Sequence, residues 1–333
     1  MDAFRLTRQL VDIESITGNE AAVGEFLLTT LGGLGFAVEK MPVADGRFNL
    51  YARGSEAAAR VVFSTHIDTV PPFIPSSEDA EKIYGRGACD TKGIIAAMIA
   101  AALRLKAEGA PVGMLFVVGE ERDSLGARVA NEHAPATPPR FLINGEPTEN
   151  RVAIASKGSL RVEVTARGKM AHSAYPELGE SAIEKLLDAL GRLRSLPLPS
   201  HPEVGPATMN IGILEGGRAP NVIPDFAKAQ LLYRMVGPSE ALVAEIRRAA
   251  GPAVEVEAVL DIPFVKLRTF PGLPTFVAAY TTDIPALSRW GEPILFGPGS
   301  IHVAHTTNEH IEKKKLLEAV EHYVHMAREL LKA

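Results

Sequence analysis

Carboxylate and imidazole side chains lie just after the predicted buried strands, or in the loops beside them. The residues that share this placement are His66, Asp68, Asp90, Glu120, Glu121, Glu146 and His305. Open α/β sheets form their ligand sites where strands end, so we expect these side chains to meet at one edge of a sheet. One such Asp or His usually makes a structural hydrogen bond, but a set of this size indicates a common site.

The chemical types in this set favour a metal site. Oxygen and nitrogen ligands without a matching set of cysteines are typical of zinc, with cobalt and manganese as alternatives. The glycine-rich stretches at 32–35 and 85–87 do not have the spacing of nucleotide-binding loops, and no Gly-x-Ser-x-Gly pattern occurs. Cys89 lies beside carboxylates, which disfavour a reactive thiolate. We therefore expect neither a phosphate site nor a covalent nucleophile.

Short apolar runs in the first half of the chain predict the sheet that positions these residues. Residues 60–65 (RVVFST), 114–118 (MLFVV) and 140–144 (RFLIN) are continuous apolar runs, as required in a parallel sheet buried on both faces. The helix predicted from residue 93 (GIIAAMIAAAL) joins the first two runs into a βαβ unit. Further elements are predicted at 2–13 (helix), 20–31 (helix) and 36–40 (strand).

The pattern changes near residue 159 to strands that alternate with amphipathic helices. The predicted order is strand 160–166, helix 181–196, strand 208–214, strand 227–235, helix 239–250 and strand 254–260. This βαββαβ order is ferredoxin-like. The α/β pattern then returns, with a glycine-rich loop at 296–300 and a last helix at 312–332. We predict an α/β fold of two domains, a discontinuous α/β sandwich (1–157 and 266–333) and an inserted ferredoxin-like domain (158–265).

The composition is that of a globular protein with small-molecule partners. The 333 residues include 35 basic and 40 acidic side chains, a net charge of −5, and 46% are hydrophobic. Without clustered basic residues we expect neither nucleic acid nor a membrane surface as a partner. The single cysteine cannot form an intramolecular disulfide, the first residues do not resemble a secretion signal, and the longest apolar run is too short for a membrane span. We expect a cytoplasmic protein.

Six segments resemble one known family. They are STHIDTVPP (64–72), YGRGACDTKG (84–93), GEERDSLGA (119–127), NGEP (144–147), KMAHSA (169–174) and FGPGSIHVAHTTNE (296–309). They are similar to the M20 clan of zinc-dependent aminoacylases, deacetylases and carboxypeptidases, which includes acetylornithine deacetylase and succinyl-diaminopimelate desuccinylase. The resemblance extends from the first predicted helix to the last.

The resemblance implies a centre of two divalent ions, zinc by first expectation. His66 and Glu146 would hold one ion, Glu121 and His305 the other, and Asp90 would bridge both. His302 is an alternative to His305, but the AHTTNE context favours His305. Three carboxylates and two neutral imidazoles would leave two divalent ions a net charge of about +1, which lowers the pKa of a water between them.

The resemblance also implies catalytic roles and a cis peptide bond between Asp90 and Thr91. Asp68, two residues after His66 on an extended chain, would fix the imidazole tautomer. Glu120 would be the general base, which takes a proton from the attacking water and passes it to the departing amine.

The inserted domain would be a lid that also forms a homodimer. Its His172 would polarise the scissile carbonyl, and its Asn221 and Arg234 would bind the carboxylate end of the substrate. The backbone of Gly297 and Gly299 would assist. Whether His172 acts within its own subunit or across the dimer stays open.

Three functions remain after this reasoning. The first is removal of an acyl group from an N-acyl amino acid, in the manner of acetylornithine deacetylase. The second is hydrolysis of dipeptides or of C-terminal peptide bonds, or desuccinylation, with the same residues. The third is a non-catalytic, metal-stabilised binding module, against which the presence of Glu120 argues.

Overall fold

Within the part of the chain that the structure describes, there are seven α-helices and two larger β-sheets. The computed structural model describes residues 1–44 and 46–333. The helices are α1 (Ala3–Val11), α2 (Ala21–Gly33), α3 (Gly93–Ala107), α4 (Leu125–Glu132), α5 (Ala182–Arg194), α6 (Glu240–Ala250) and α7 (Lys313–Lys332). Among the described residues, none of these helices combines the length and apolar character needed to cross a membrane.

The strands occur along the whole chain, in some places between helices and in others in direct succession. In the first half they are β1 (Ala37–Ala44), β2 (Arg47–Arg53), β3 (Val61–His66), β4 (Ser77–Glu78), β5 (Lys82–Tyr84), β6 (Val112–Val117), β7 (Phe141–Asn144) and β8 (Val152–Ser156). In the second half they are β9 (Gly158–Arg167), β10 (Ser200–His201), β11 (Gly205–Pro206), β12 (Thr208–Gly216), β13 (Phe226–Met235), β14 (Val254–Ile262), β15 (Val265–Lys266), β16 (Thr275–Ala278), β17 (Glu292–Leu295) and β18 (His310–Glu312).

The chain divides into two compact units. Unit 1 comprises Met1–Ile154, Leu267–Phe276 and Thr282–Ala333, and unit 2 comprises Ala155–Lys266 and Val277–Thr281. The predicted inserted domain began at residue 158 and ended at 265, close to the main segment of unit 2. The short segment 277–281, which also belongs to unit 2, is absent from the prediction.

Unit 1 is built on a six-stranded sheet in the order β1-β2-β6-β3-β7-β17. Strands β6, β3, β7 and β17 are parallel, and β2 joins β6 in the antiparallel sense. Successive residues of β3 enter different hydrophobic clusters, Phe63 on one face and Val62 on the other. The sheet is therefore buried on both faces, as its continuous apolar strands predict.

Parallel strands bring their carboxyl ends to one edge of the sheet, and this edge positions the predicted site. His66 is the last residue of β3 and Glu146 lies two residues after β7. Glu120 and Glu121 follow β6, and the loop that carries His305 follows β17. The peptide bond between Asp90 and Thr91, just before α3, is cis, as the resemblance implies.

Unit 2 contains a four-stranded antiparallel sheet in the order β12-β13-β9-β14. Inward residues of β9 and β13, such as Val162 and Leu231, pack with Leu186 of α5 and Ile246 of α6. The chain order β9-α5-β12-β13-α6-β14 is the predicted βαββαβ order, with the short pair β10 and β11 added.

The sequence patterns do not predict several elements of unit 1, of which β2 and α4 are the longest. Strand β2 has five consecutive buried residues, which include the polar Asn49, so it shows no alternation of apolar and polar residues. Helix α4 has eight residues and begins after Ser124, a residue in the left-handed region (φ 55°) that makes no side-chain cap. Both elements are set by tertiary contacts, which no local pattern reveals.

Candidate metal centre

The five residues predicted to bind metal lie together in unit 1. Their ligand atoms form two groups, one of His66, Asp90 and Glu146 and the other of Asp90, Glu121 and His305, each within 4.8 Å. Asp90 belongs to both groups. Its Oδ1 lies 3.1 Å from His66 Nε2, and its Oδ2 lies 3.3 Å from His305 Nε2. The carboxylate therefore faces one histidine with each oxygen, the arrangement expected of a bridging ligand.

The second group is closed by the contact of His305 with Glu121. His305 Nε2 lies 3.0 Å from Glu121 Oε1. His305 adopts a left-handed backbone conformation (φ 63°), which is uncommon for a residue other than glycine and is found most often at functional sites. Hydrogen bonds to Asp90 and Glu121 raise the pKa of His305 to about 10 in the metal-free chain.

The donor set fits two divalent cations. It offers carboxylate oxygens and ring nitrogens, the ligand types of zinc, cobalt and manganese. Oε1 of the buried Glu146 has no hydrogen-bond partner among the residues that the structure describes, although buried polar atoms seldom lack one. Burial raises the pKa of Glu121 and raises that of Glu146 far more. These carboxyl groups are thus destabilised as anions until positive charge is supplied.

Asp68 contacts three of the residues predicted to bind metal or to act in catalysis. Its Oδ1 accepts a hydrogen bond from the backbone N–H of Glu120 (3.1 Å), and its Oδ2 accepts one from the N–H of Glu121 (3.2 Å). Oδ2 also accepts a hydrogen bond from Thr17 Oγ1 (2.7 Å). Burial would raise the pKa of Asp68, but the contacts with His66, Thr17 and the N–H of Glu121 lower it overall.

Two oxygen atoms of Asp68 face Nδ1 of His66. His66 Nδ1 lies 3.0 Å from the backbone carbonyl oxygen of Asp68 and 3.4 Å from its carboxylate Oδ1. The carbonyl is the closer acceptor and cannot change its charge, so it is the group that holds the proton on Nδ1. With that tautomer an unprotonated Nε2 would be available to an ion shared with Asp90, which is the state a metal ligand needs, whereas without an ion a proton on Nε2 is required for the 3.1 Å contact with Asp90 Oδ1.

Glu120 stands outside both ligand groups, next to Glu121. Burial raises its pKa well above the ordinary value for a glutamate, and the charges of Asp283 and Glu121 raise it further against the lowering effect of His66. A free carboxyl group with a raised pKa beside a ligand cluster can accept and return a proton.

Asp283 is a buried acid of this region that the sequence analysis did not identify. Its Oδ1 has no hydrogen-bond partner within residues 1–44 and 46–333, and burial raises its pKa to about 7. Its charge raises the pKa of both Glu120 and Glu146. The signal in the sequence is slight, a single acid between threonines and the apolar stretch 284–287.

The glycine-rich loop after β17 packs directly on the site. A Cβ atom at Gly297 would lie 2.5 Å from the carbonyl oxygen of Glu146, and one at Gly299 (φ 86°) would lie 2.7 Å from Cβ of Cys89. The N–H of Gly297 donates to Thr148 Oγ1 (2.8 Å). These contacts show that Gly297 packs against the backbone of Glu146. Substrate binding by Gly297 and Gly299 stays a prediction.

The remaining predicted residues lie in unit 2. His172 and Asn221 are close, because the backbone N–H of Ser173 donates to the carbonyl oxygen of Asn221 (3.0 Å). His172 is exposed, and its Nδ1 accepts a hydrogen bond from the N–H of Ala174 (3.1 Å). Arg234 lies on β13 and is partly buried, and burial lowers its pKa.

Comparison with known proteins assigns the family. Residues 62–329 match the family described as Peptidase family M20/M25/M40. A Peptidase M20 domain-containing protein of Schizosaccharomyces pombe is 41% identical, and the alignment covers 96% of this chain and 83% of that protein. A probable carboxypeptidase of Aspergillus fumigatus is 39% identical, with 95% and 84% covered. The chain belongs to Peptidase family M20/M25/M40 and is a metal-dependent hydrolase of amide bonds.

Solved structures agree with the fold. The aminopeptidase PepT of Bacillus cereus has a TM-score of 0.81 at 24% identity, and 99% of each chain is covered. The YXEP protein of Bacillus subtilis, described as a dinuclear metal binding peptidase from the M20 family, has a TM-score of 0.73 at 16% identity, with 99% of this chain and 98% of that chain covered. The predicted fold class is confirmed.

Proposed function

We propose that the chain is a two-metal amidohydrolase that cleaves the amide bond between an acyl group and an amino acid with a free carboxylate. The observation that carries this proposal is the pair of ligand groups that share Asp90, with the free carboxyl group of Glu120 beside them. A binding module would have no need for that extra acid.

We assign one ion to His66 and Glu146 and the other to Glu121 and His305, with Asp90 shared. Zinc is the first candidate, and cobalt and manganese are the alternatives. Bound ions would supply Lewis acidity, which lowers the pKa of water and polarises the amide carbonyl.

Glu120 is the proposed general base. Its carboxylate takes the proton of the attacking water and returns it to the amine that leaves. Asp68 positions it, because the carboxylate of Asp68 holds the backbone N–H groups of Glu120 and Glu121. The base and a ligand of the second ion are thereby fixed by one side chain.

Three residues of unit 2 are proposed to bind the substrate. His172 accepts at Nδ1, so its Nε2–H is available to donate to the oxyanion of the reaction. The guanidinium of Arg234 makes no hydrogen bond or ion pair with the described residues, and it suits a bidentate contact with the substrate carboxylate. Asn221, next to His172, is a second donor. We expect them to act from the same subunit or from its partner.

The names of the relatives favour a peptide bond as the one cleaved. A relative that aligns over 84% of its length is named a probable carboxypeptidase. The acetylornithine-type deacetylase, which the sequence analysis places first, and the desuccinylase rest on the resemblance of the motifs. We therefore place carboxypeptidase or dipeptidase activity first and deacetylase activity second.

The test is amine release from a panel of substrates. The panel contains dipeptides, N-acetyl amino acids that include acetylornithine, and succinyl-diaminopimelate, each with chelator and with added zinc or cobalt. Chelator-sensitive cleavage of dipeptides would support the first candidate, and cleavage of acetylated amino acids alone would support the second. Turnover of no substrate with any metal would contradict the hydrolase. The Glu120→Gln variant controls for contaminating peptidases.

We also propose a homodimer through unit 2. Strand β12 is at the edge of its sheet and exposes Ile213 (45%) and Leu214 (57%), whereas Val259 and Leu260 on the other edge strand are less exposed. An apolar edge strand favours pairing with another strand, and a second copy would cover it. Light scattering should give a dimer for the native chain and a monomer for Leu214→Lys, and a native monomer would contradict this.

A further inference from the structure

A buried ion pair joins the two loops that carry Asp90 and His305. Arg86 Nη1 lies 2.5 Å from Glu309 Oε2, and the two side chains expose 2% and 0% of their surface. Arg86 precedes Asp90 by four residues, and Glu309 follows His305 by four residues. The pair thus ties together two segments that are remote in sequence and that each supply a ligand to the proposed centre.

Other polar contacts of the pair are with the same two loops, and Arg86 Nε also donates to the carbonyl oxygen of Pro72 (3.3 Å). Glu309 Oε1 accepts hydrogen bonds from the backbone N–H groups of Cys89 (3.3 Å) and Asp90 (3.2 Å). Arg86 Nη1 also donates to the carbonyl oxygen of Thr306 (3.2 Å), and its Nη2 lies 3.5 Å from the carbonyl oxygen of His305. Each residue therefore reaches the loop that the other one belongs to.

A short strand pair sets the distance between the two loops. Strands β5 and β18 are antiparallel, with His310 opposite Tyr84. The next residues, Gly85 and Glu309, continue this contact, because the N–H of Gly85 donates to the carbonyl oxygen of Glu309 (3.0 Å). The ion pair lies directly beyond this end of the strand pair, on the side of the ligands.

Stability alone does not account for a pair of this kind. Removing two charges from water costs free energy, and the attraction within the buried ion pair offsets this cost only approximately. A protein with apolar residues of similar volume at these positions is therefore often equally stable. What such residues could not do is hold the backbone N–H of Asp90 and the carbonyl oxygens of the His305 loop at the same time.

We propose that Arg86 and Glu309 are positioning residues that hold Asp90 and His305 at the spacing required by the second ion. The inference rests on the proposed two-metal function and adds to it a pair of residues outside the ligand set. Residues that orient metal ligands typically change metal affinity about 10- to 100-fold when they are replaced. The ion held by His66 and Glu146 would depend on the pair less, since their strands are fixed by the central sheet.

Three variants test the inference. Glu309→Gln keeps an oxygen that can accept from Cys89 and Asp90 and removes the charge that faces Arg86. The double variant Arg86→Met/Glu309→Leu removes both charges, so that neither is left unpaired. Glu108→Gln is the matched control, because Glu108 forms a two-point ion pair with Arg328 on the surface.

The readout is the binding of each ion, measured independently of activity. Chelator-treated protein is titrated with zinc and with cobalt by calorimetry, and the cobalt absorption bands report the ligand geometry. We expect Glu309→Gln to bind the second ion about 10- to 100-fold more weakly, with altered cobalt bands, and the first ion with a smaller loss of affinity. The Glu108→Gln variant should match the wild type in both.

The outcomes separate this inference from the proposed function. If Glu309→Gln and the double variant bind both ions with wild-type affinity, the inference is wrong and the two-metal centre stands. If the wild type binds no second ion, the inference and the proposed two-metal centre are both wrong. If Glu309→Gln does not fold, the double variant decides, because it leaves no buried charge alone.

Discussion

Glu120 and Glu121 are adjacent in sequence, but we predict that replacing each of them has a different effect on the enzyme. Glu120→Gln removes the proton acceptor and leaves every proposed ligand in place, so we expect both ions to stay bound while kcat falls about 10²- to 10⁴-fold. Glu121→Gln changes a proposed ligand and should lower metal content and activity together. Steady-state kinetics and metal analysis of both variants measure the difference. A Glu120→Gln enzyme with nearly full activity would contradict the assignment.

We predict that replacing Asp68 lowers activity by more than the loss of a single hydrogen bond would. In Asp68→Asn one oxygen becomes an NH₂ group, which would face either the N–H of Glu120 or the N–H of Glu121 in place of an acceptor. We expect kcat/KM to fall about 10- to 100-fold, as for other partners of metal ligands.

Thr17→Val supplies the control for Asp68. It removes one hydrogen bond to Oδ2 and leaves the contacts with both backbone N–H groups intact. We expect a smaller loss of kcat/KM than in Asp68→Asn, measured under the same conditions. Equal losses in the two variants would show that the contact with the backbone of Glu120 and Glu121 is not the important one.

At the scale of elements, the sequence predicts strands that are buried on both faces and helices with strong periodicity. Strands β3, β6 and β7 and the βαββαβ order of unit 2 follow from such patterns. The sequence patterns do not reveal residues whose role depends on a contact with a residue far away in the chain. Arg86 and Glu309 lie inside the motifs 84–93 and 296–309, yet the sequence does not reveal that they meet, because they are 223 residues apart. The sequence does not predict the place of Asp283 near the site for the same reason.

The loop after β17 is predicted to tolerate no side chain at Gly297. A Cβ atom there would come within 2.5 Å of a backbone oxygen of Glu146, so the loop or the ligand must shift. We expect Gly297→Ala to lower the free energy of unfolding by about 1–3 kcal/mol and to weaken metal binding. Urea unfolding and metal titration measure the two effects.

Gly32→Ala is the matched control in the same unit. Gly32 lies in α2, and a Cβ atom there would meet nothing within 4 Å. Alanine favours a helix over glycine by about 1 kcal/mol, so this variant should be as stable as the wild type or more stable. Equal stability of the two variants would mean that the contact with Glu146 relaxes without cost.

At the scale of the whole molecule, the acids and histidines of the site make the metal-free chain sensitive to pH. Burial raises the pKa of Asp283 to about 7, so the folded chain holds a proton that the unfolded chain releases near its ordinary value of 3.8. Stability from this group falls as pH rises from about 4 to about 7. His305 acts in the same direction, because its stabilising contribution is complete below pH 6.5 and is lost as pH rises towards 10.

Bound ions should reverse the pH dependence of the stability that these groups cause. Ligands must lose their protons to bind a metal, so metal affinity and the stabilisation that follows from it increase with pH. We therefore expect the Tm difference between the zinc-loaded and the chelated chain to widen from pH 5.5 to pH 8, as measured by calorimetry. Glu146→Gln, which lacks one ligand, should show a narrower difference at every pH. A difference that stays constant with pH would mean that these carboxyl and imidazole groups do not bind the ions, since proton release is the cost that distinguishes them from neutral ligands.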